Sequence, residues 1–319
     1  MRLRVPRSRS GRVALILPPI AGLVALAVWH GPDTGLVANA FQLVAWPWVA
    51  AAVLLNLSSV VVRSSAWSIV IDQAVPPPHP AGRTVFSAYC VGLLGNAALP
   101  GRVGEVARVM VLTRRMRHRA GTWATVVGTV FAHRLFDIVA AIALVIYVLY
   151  AARLPDWAVP ALAIVLGVGI GALFAGVLLS WHRGQRPLDE LGPARRLLRL
   201  ARAGLEVLKR PGPAAAALAL QLLGWGFQLL AVWATFNAFR IDVPMSASAL
   251  VLVLMNLATI VPLWPGNFGL VQAAVAFPLL SYGVAYGHGF AFGVGLQVVE
   301  SSVGVGLGLV FLAREGFSF

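Results

Sequence analysis

Lysine is nearly missing from this chain, with Lys209 its single copy, and acidic residues number only 11 in 319. Charged residues of both signs make up 11% of the sequence, against about a quarter in soluble globular proteins. So few charges cannot cover a water-facing surface, and lipid is the solvent that tolerates their scarcity. Cysteine is limited to Cys90, which excludes an intrachain disulfide and a cysteine-based metal site. His30, His79, His118, His133, His182 and His288 show no H-E-x-x-H or comparable ligand spacing. No G-x-x-x-x-G-K-[ST] run is present either, so no metal, nucleotide or other cofactor is expected.

What the chain has is apolar length. Hydrophobic residues make up 59% of it, and the mean hydropathy is +0.84. Six segments offer the roughly 17–25 apolar residues, or slightly more, that a tilted helix needs to cross a bilayer. They are 13–29, 45–62, 122–151, 157–181, 213–239 and 289–313. The first follows Arg2, Arg4, Arg7, Arg9 and Arg12 and reads as an uncleaved span, because it is long for a signal core and no cleavage site follows. Trp46, Trp48, Trp157, Trp181 and Trp264 lie near segment ends, where aromatic belts form.

The net charge of +14 sits in clusters between apolar segments. The N-terminus, the stretch 102–119 and the stretch 183–210 are basic, whereas 30–44 and 281–288 carry no Arg or Lys. Under the positive-inside rule six spans then place both termini in the cytoplasm of a plasma (inner) membrane protein. No aromatic-studded basic module of the kind that binds single strands is present, so nucleic acid is not an expected partner. In 182–212 Leu residues interleave with Arg, which suits an amphipathic helix lying on an anionic leaflet.

Two apolar segments, 84–111 and 246–280, do not fit the count, because each has both ends on one side. Each is broken midway by Pro and Gly, which favours re-entrant hairpins over pairs of short tilted spans. The first break runs Asn96-Ala-Ala-Leu-Pro100-Gly101-Arg102-Val-Gly104-Glu105, and the second runs Pro265-Gly266-Asn267-Phe-Gly269-Leu-Val-Gln272. Both contain P-G-x-x-G followed by a long polar side chain. Entering from opposite faces, they read as an inverted repeat, and paired interruptions of this kind point to a binding site near the midplane. The expected fold is an all-α polytopic membrane protein of about six spanning helices plus two re-entrant segments. It forms a single domain over 1–319, with a first half of about 13–181 (break 96–105), the linker 182–212, and a second half of about 213–313 (break 256–272).

Ionisable residues at membrane depth face a partner or a pathway, since one at bilayer centre costs at least about 2.5–3.5 kcal/mol. Glu105 and Arg108 flank the first break with Arg102. His133, Arg134 and Asp137 lie inside the 122–151 span, and Glu300 lies inside the last. Arg134 and Asp137, three apart, share a helix face. They form either a neutralised intrahelical pair or a guanidinium aimed at a lipid phosphate and oriented by its carboxylate. The runs Gly167-x-Gly169-x-Gly171 and Gly304-x-Gly306-x-Gly308 are expected to let helices pack closely.

The motifs Leu99-Pro100-Gly101-Arg102-Val103-Gly104-Glu105 with Arg108, Arg134-Leu-Phe-Asp137, and Pro265-Gly266-Asn267-Phe268-Gly269 resemble the flippase-like transmembrane domain of the lysylphosphatidylglycerol synthase/flippase family. The resemblance implies a prokaryotic membrane domain that moves a lipid between leaflets, or is related to proteins that do. Fused members add a soluble aminoacyl-transferase domain. Nothing in this chain corresponds to it, so synthase activity is not expected. The family tends to carry Glu where His133 and Gln272 stand here, which removes two acidic groups from any carried-over mechanism.

The expected function is a lipid flippase or lipid-linked transporter for an anionic or aminoacylated (glyco)lipid, with no catalytic residues. The expected substrate-binding residues are Asn96, Pro100, Gly101, Arg102, Gly104, Glu105, Arg108, Arg134, Asp137, Pro265, Gly266, Asn267, Gly269, Gln272 and Glu300. Expected partners are membrane phospholipids or a lipid-linked substrate, with a separate lipid-modifying enzyme as a further one. The alternatives are a non-catalytic membrane partner of such an enzyme and an intramembrane enzyme acting on lipid-linked substrates.

Overall fold

A backbone that crosses lipid must satisfy its own N–H and C=O groups, and the long apolar runs do so as helices. The computed structural model describes residues 34–99, 103–116, 122–155, 158–181, 201–260 and 265–314, and every regular element among them is helical. α1 is Thr34–Gln42, α2 Trp46–Ala74, α3 Gly82–Ala98, α4 Gly104–Arg115 and α5 Thr122–Ala151. α6 is Ala158–Trp181, α7 Pro211–Ala238, α8 Met245–Ala258, α9 Leu270–Leu279 and α10 Tyr286–Arg314. Five of these (α2, α5, α6, α7 and α10) are long and apolar enough to cross a membrane, and α8 and α9 are shorter apolar helices. The expected span 13–29 and the linker residues 182–200 lie outside the described residues.

Two elements differ from expectation. α2 continues to Ala74, about three turns past the end of the apolar run at Val62. The run stops at Arg63 but the helix does not, because Arg63 is paired inside the bundle. The expected loop 30–44 contains α1, which packs on α10.

The two breaks separate helices that fold back. α3 ends at Leu99, whose extended backbone (φ −119°, ψ 143°) suits a residue that precedes Pro100. α4 then returns along α3, with Gly92 beside Arg108 and Gly95 beside Gly104 and Ala107. In the second break Gly266, Asn267 and Gly269 take positive φ. Side chains satisfy the backbone freed there. Asn267 Nδ2 donates to the Ala258 carbonyl at 2.7 Å, and the Gly269 N–H donates to Gln272 Oε1 at 2.6 Å. Gln297 Nε2 donates to the Gly266 carbonyl, and Gln272 Nε2 donates to Gln297 Oε1.

The centre of the bundle is α2 packed antiparallel on α7. Trp48 meets Trp233 at one end, Ser59 Oγ donates to the Gly224 carbonyl midway, and Arg210 donates to Gln73 at the other end. Small buried residues let the two helices close, among them Ala52 and Ala66 on α2 and Ala217, Gly224 and Ala231 on α7. Around this pair α3 packs on α10 and α5 packs on α8. The pairings thus repeat when the order long helix, broken pair, long helix (α2 to α5) is laid on α7 to α10.

The α3–α4 pair opens at the end of the bundle that holds Arg83, Arg114, Arg115, Lys209, Arg210 and Arg314. The α8–α9 pair opens at the opposite end. There the Ala45 N–H donates to the Ala238 carbonyl, the Arg153 N–H donates to the Tyr282 hydroxyl, and His288 lies 3.2 Å from the Phe239 carbonyl. Among the described residues Arg153 and Arg240 are the basic residues of that second end.

Of the two glycine runs expected to pack, Gly304 and Gly308 do, against Leu93, Leu94 and Cys90 of α3. In the other run Gly167 and Gly171 have open space, and Gly169 makes only ordinary contact with Ile138 and Ile142. α6 is largely exposed to the surroundings, so it has no neighbour there to approach. The closest approaches occur at glycines that form no run. A Cβ on Gly128 would stand 1.8 Å from the Ala201 carbonyl oxygen, and one on Gly104 would stand 1.9 Å from the Gly92 carbonyl oxygen. Gly104→Ala is therefore expected to destabilise the protein by about 1–3 kcal/mol through overpacking of the first hairpin. Gly306→Ala, where an added Cβ meets nothing within 4 Å, serves as the matched control. Thermal unfolding of the two variants in detergent separates them.

Candidate functional site

The two breaks meet. A cavity of about 310 Å³ lies between them, walled by Asn96, Leu99 and Gly104 on one side and by Asn256, Thr259, Gly266 and Asn267 on the other. Polar positions of the long helices complete it. α2 contributes Asn56, Ser59 and Arg63, α7 contributes Gln228, and α10 contributes Gln297, Glu300 and Ser301. Glu105, Arg108 and Arg134 supply the remaining charges of the wall.

Those charges form one alternating chain. Arg63 Nη2 donates to Asp137 Oδ1 at 2.6 Å. Asp137 Oδ2 accepts from Arg134 Nη1 at 3.1 Å, and Arg134 Nη2 donates to Glu105 Oε1. Glu105 Oε2 in turn lies 2.7 Å from Arg108 Nη2. Two side chains of α7 finish the Asp137 carboxylate: Trp225 Nε1 donates to Oδ1 at 3.0 Å, and Gln221 Nε2 donates to the same oxygen. Aromatic faces shield the outer cations. Arg108 lies 4.8 Å over Trp67 and 5.9 Å over Tyr89, and Arg63 lies 5.4 Å over Trp225. Three guanidiniums against two carboxylates leave the chain one positive charge in excess. Exposure singles out one of them: the Arg134 side chain is 40% accessible, against 14% for Arg63 and 4% for Arg108.

Glu300 reaches this chain through an amide. Its Oε1 accepts from Gln228 Nε2 at 3.2 Å, and Gln228 Oε1 accepts from Arg63 Nη1 at 3.0 Å. Gln228 thus ties Glu300 to the charge chain without a direct ion pair.

The expected site residues divide into groups. Asn96, Gly104, Glu105, Arg108, Arg134, Gly266, Asn267 and Glu300 converge on the cavity. Asp137 stands behind Arg134 and Arg63 and does not line it. Gln272 is fully buried and caps α9 at Gly269, so its amide serves the broken backbone. Gly269 belongs to the second break without lining the cavity, and Pro265 opens the short helical turn that precedes it. Pro100, Gly101 and Arg102 lie outside the described residues. His133 is buried with its ring edge-on to Tyr89, 6.0 Å between centroids.

Several participants were not anticipated from the sequence: Arg63, Gln221, Trp225, Gln228, Asn56 and Gln297. A signal for them exists in the chain. Gln221, Trp225 and Gln228 recur at i, i+4 and i+7, and Asn56, Ser59 and Arg63 at i, i+3 and i+7, each a polar stripe on one face of an otherwise apolar helix.

A family model described as lysylphosphatidylglycerol synthase TM region matches residues 11–308. No curated protein and no solved structure matches the chain.

Removing one member of a buried ion pair leaves the other without compensation, at a cost of about 3–5 kcal/mol. Arg63→Met is expected to lower stability by the lower end of that range, because it takes the 2.6 Å partner from Asp137 while Arg134 remains. The double variant Arg63→Met/Asp137→Leu is expected to lose less than the sum of the two single variants, because the Arg63–Asp137 contact is then lost only once. Thermal unfolding in detergent reads both. Additive losses in the double variant would show that the pair is not coupled.

Proposed function

The chain belongs to the lysylphosphatidylglycerol synthase transmembrane-region family, and from that premise we propose that it is a lipid flippase or lipid-linked transporter. The proposed substrate is an anionic or aminoacylated (glyco)lipid moved between leaflets. The observation that carries this reading is the meeting of the two backbone breaks at a cavity whose wall holds Arg63, Arg108 and Arg134.

The mechanism follows from the charges. Arg134, the most accessible guanidinium, takes the head-group phosphate, for which its forked donors are suited. Asp137 and Glu105 fix its orientation from behind and beside. The excess positive charge of the network is what a phosphate neutralises. Glu300, joined to Arg63 through Gln228, adds a carboxyl group to the same cavity. Both Glu105 and Asp137 are occupied by guanidiniums, which supports transport without catalysis on the head group. A separate lipid-modifying enzyme is the proposed partner that prepares or consumes the substrate.

The repeated pairing of α2–α5 with α7–α10, and the opening of the two broken pairs at opposite ends, support an inverted repeat of re-entrant hairpins. Transport then proceeds by rocking of one repeat against the other around the fixed site. The end rich in Arg is assigned to the cytoplasm of a plasma membrane protein.

Two experiments test this. In liposomes, the reconstituted protein is expected to move a fluorescent anionic phospholipid, read by a leaflet-specific quencher. Arg134→Ala is expected to slow that movement by about tenfold or more, the equivalent of losing one charge-assisted contact. No movement by wild type, or an Arg134→Ala rate equal to it, would sink the reading. For orientation, Cys90 is buried and is replaced by Ala to give a silent background. Arg314→Cys is then expected to resist an impermeant maleimide in intact cells, while Gly283→Cys is labelled. The reverse pattern would invert the assignment.

A further inference from the structure

Glu300 stands at the middle of α10 and lines the central cavity. Among the described residues no Arg, Lys or His lies within ion-pair distance of it, whereas Glu105 and Asp137 each meet two guanidiniums. Its side-chain partner is an amide. A guanidinium has only donors, so Gln228 turns its Oε1 to Arg63 at 3.0 Å and its Nε2 to Glu300 Oε1 at 3.2 Å. Glu300 Oε1 is thereby held as an acceptor, and Oε2 is the oxygen left to carry a proton.

Few other ionisable groups face it. Of the helices packed on α10, α2 brings Arg63 and, toward the basic end, Asp72, and α3 brings Tyr89, Cys90 and, at its start, Arg83. α1, α7 and α9 bring no ionisable side chain. The cavity wall adds Glu105 and Arg108 of α4 and Arg134 of α5. On α10 itself Tyr286, His288 and Arg314 lie about three turns or more from Glu300.

The charges of the site then balance in one of two ways. Arg63, Arg108 and Arg134 face Glu105 and Asp137, which leaves one positive charge in excess when Glu300 is neutral and none when it is ionised. A phosphate in the cavity and an ionised Glu300 therefore compete for the same excess charge. They also repel each other, more strongly at membrane depth than in water. A proton on Glu300 removes both penalties. Resting on the head-group reading of the cavity, we infer that the phosphate of an anionic lipid binds together with one proton, carried on Glu300 Oε2. The O–H bond forms there with a proton drawn from water, and it breaks again when the head group leaves. The bound pair is electrically neutral, so the proton is the co-substrate of transport and a proton gradient across the membrane drives the lipid in its own direction.

The test reads binding rather than transport. Dihexanoyl phosphatidylglycerol is titrated by calorimetry into the full chain in detergent, from about pH 5 to about pH 9. Its phosphodiester stays a monoanion throughout, so a pH dependence belongs to the protein. A lipid that needs the protonated carboxyl binds best at low pH, where the proton is already present, and loses affinity as pH rises and the proton must be supplied. The wild-type Kd is expected to rise with pH, with a slope that approaches about tenfold per pH unit at the alkaline end. Titrations in two buffers of different ionisation enthalpy are expected to show proton uptake over the same range. Glu300→Gln keeps an acceptor for Gln228 without the charge, and its Kd is expected to stay near the wild-type acidic value at every pH. Glu206→Gln, in the exposed pair with Lys209, is expected to leave the wild-type slope intact. Should Glu300→Gln not fold, Glu300→Met, which is also uncharged, is read in its place. A wild-type Kd that is constant with pH, with no proton uptake, overturns the inference and leaves the transport reading standing. A slope that persists without the Glu300 carboxyl overturns it by moving the proton to another group. Absence of binding at every pH overturns this inference and the head-group reading together.

Discussion

Asp137 is the contact on which the interior depends. It sits on α5 and binds α2 through Arg63 and α7 through Gln221 and Trp225, with Arg134 of its own helix beside it. A carboxylate at membrane depth has no water to hydrate it, so every lone pair must be met by protein. Meeting them ties three of the long helices together at one height. Arg134 then carries the linkage to Glu105, and Glu105 to Arg108 on α4, so the first hairpin is fastened to the same point. The chain Arg63–Asp137–Arg134–Glu105–Arg108 alternates in sign along its length. That alternation is how three guanidiniums share a nonaqueous interior.

The second hairpin is held differently. Its break contains no ionised group, and its freed backbone is satisfied by the amides Asn267, Gln272 and Gln297. The two breaks therefore differ chemically while standing across one cavity from each other. The first offers charge, and the second offers amides and left-handed backbone at Gly266, Asn267 and Gly269. On the proposed reading a head group between them meets charged side chains beside the first break and neutral amides at the second. On the proposed reading this asymmetry orients the ligand within a nearly symmetric scaffold.

Length and hydropathy made the long helices legible. The 122–151 segment is α5 to the residue, because its ends are marked by polar residues and its interior has no break. The P-G-x-x-G breaks were also visible, since Pro and Gly act locally through φ and the missing donor. Arg63 was not, because a charge in an apolar run reads as a boundary unless its partner is known. That partner is 74 residues away on another helix. Gln272 was legible as a polar group after the motif, but its work as a cap for Gly269 depends on left-handed backbone that sequence does not reveal. The first glycine run failed for the opposite reason. Small residues permit close approach, but α6 brings no helix to Gly167 or Gly171.

The size of the cavity constrains how a lipid could use it. A space of about 310 Å³ lies at the lower edge of the range for small-ligand pockets, about 300–1,000 Å³, and so accommodates a head group without its chains. On the proposed reading the chains leave sideways. Leu99 marks the place, since it lines the cavity and is 48% exposed. Val103 and Val106, beyond the break, are exposed as well, and Phe268 is exposed at the second break. An apolar rim therefore borders the polar interior at the level where both hairpins stop. On the proposed reading a head group enters past Leu99 while its chains remain against that rim. Ending α3 at Leu99 thus shortens the wall that would otherwise separate the cavity from lipid, while Gly266 and Asn267 of the second break line the cavity.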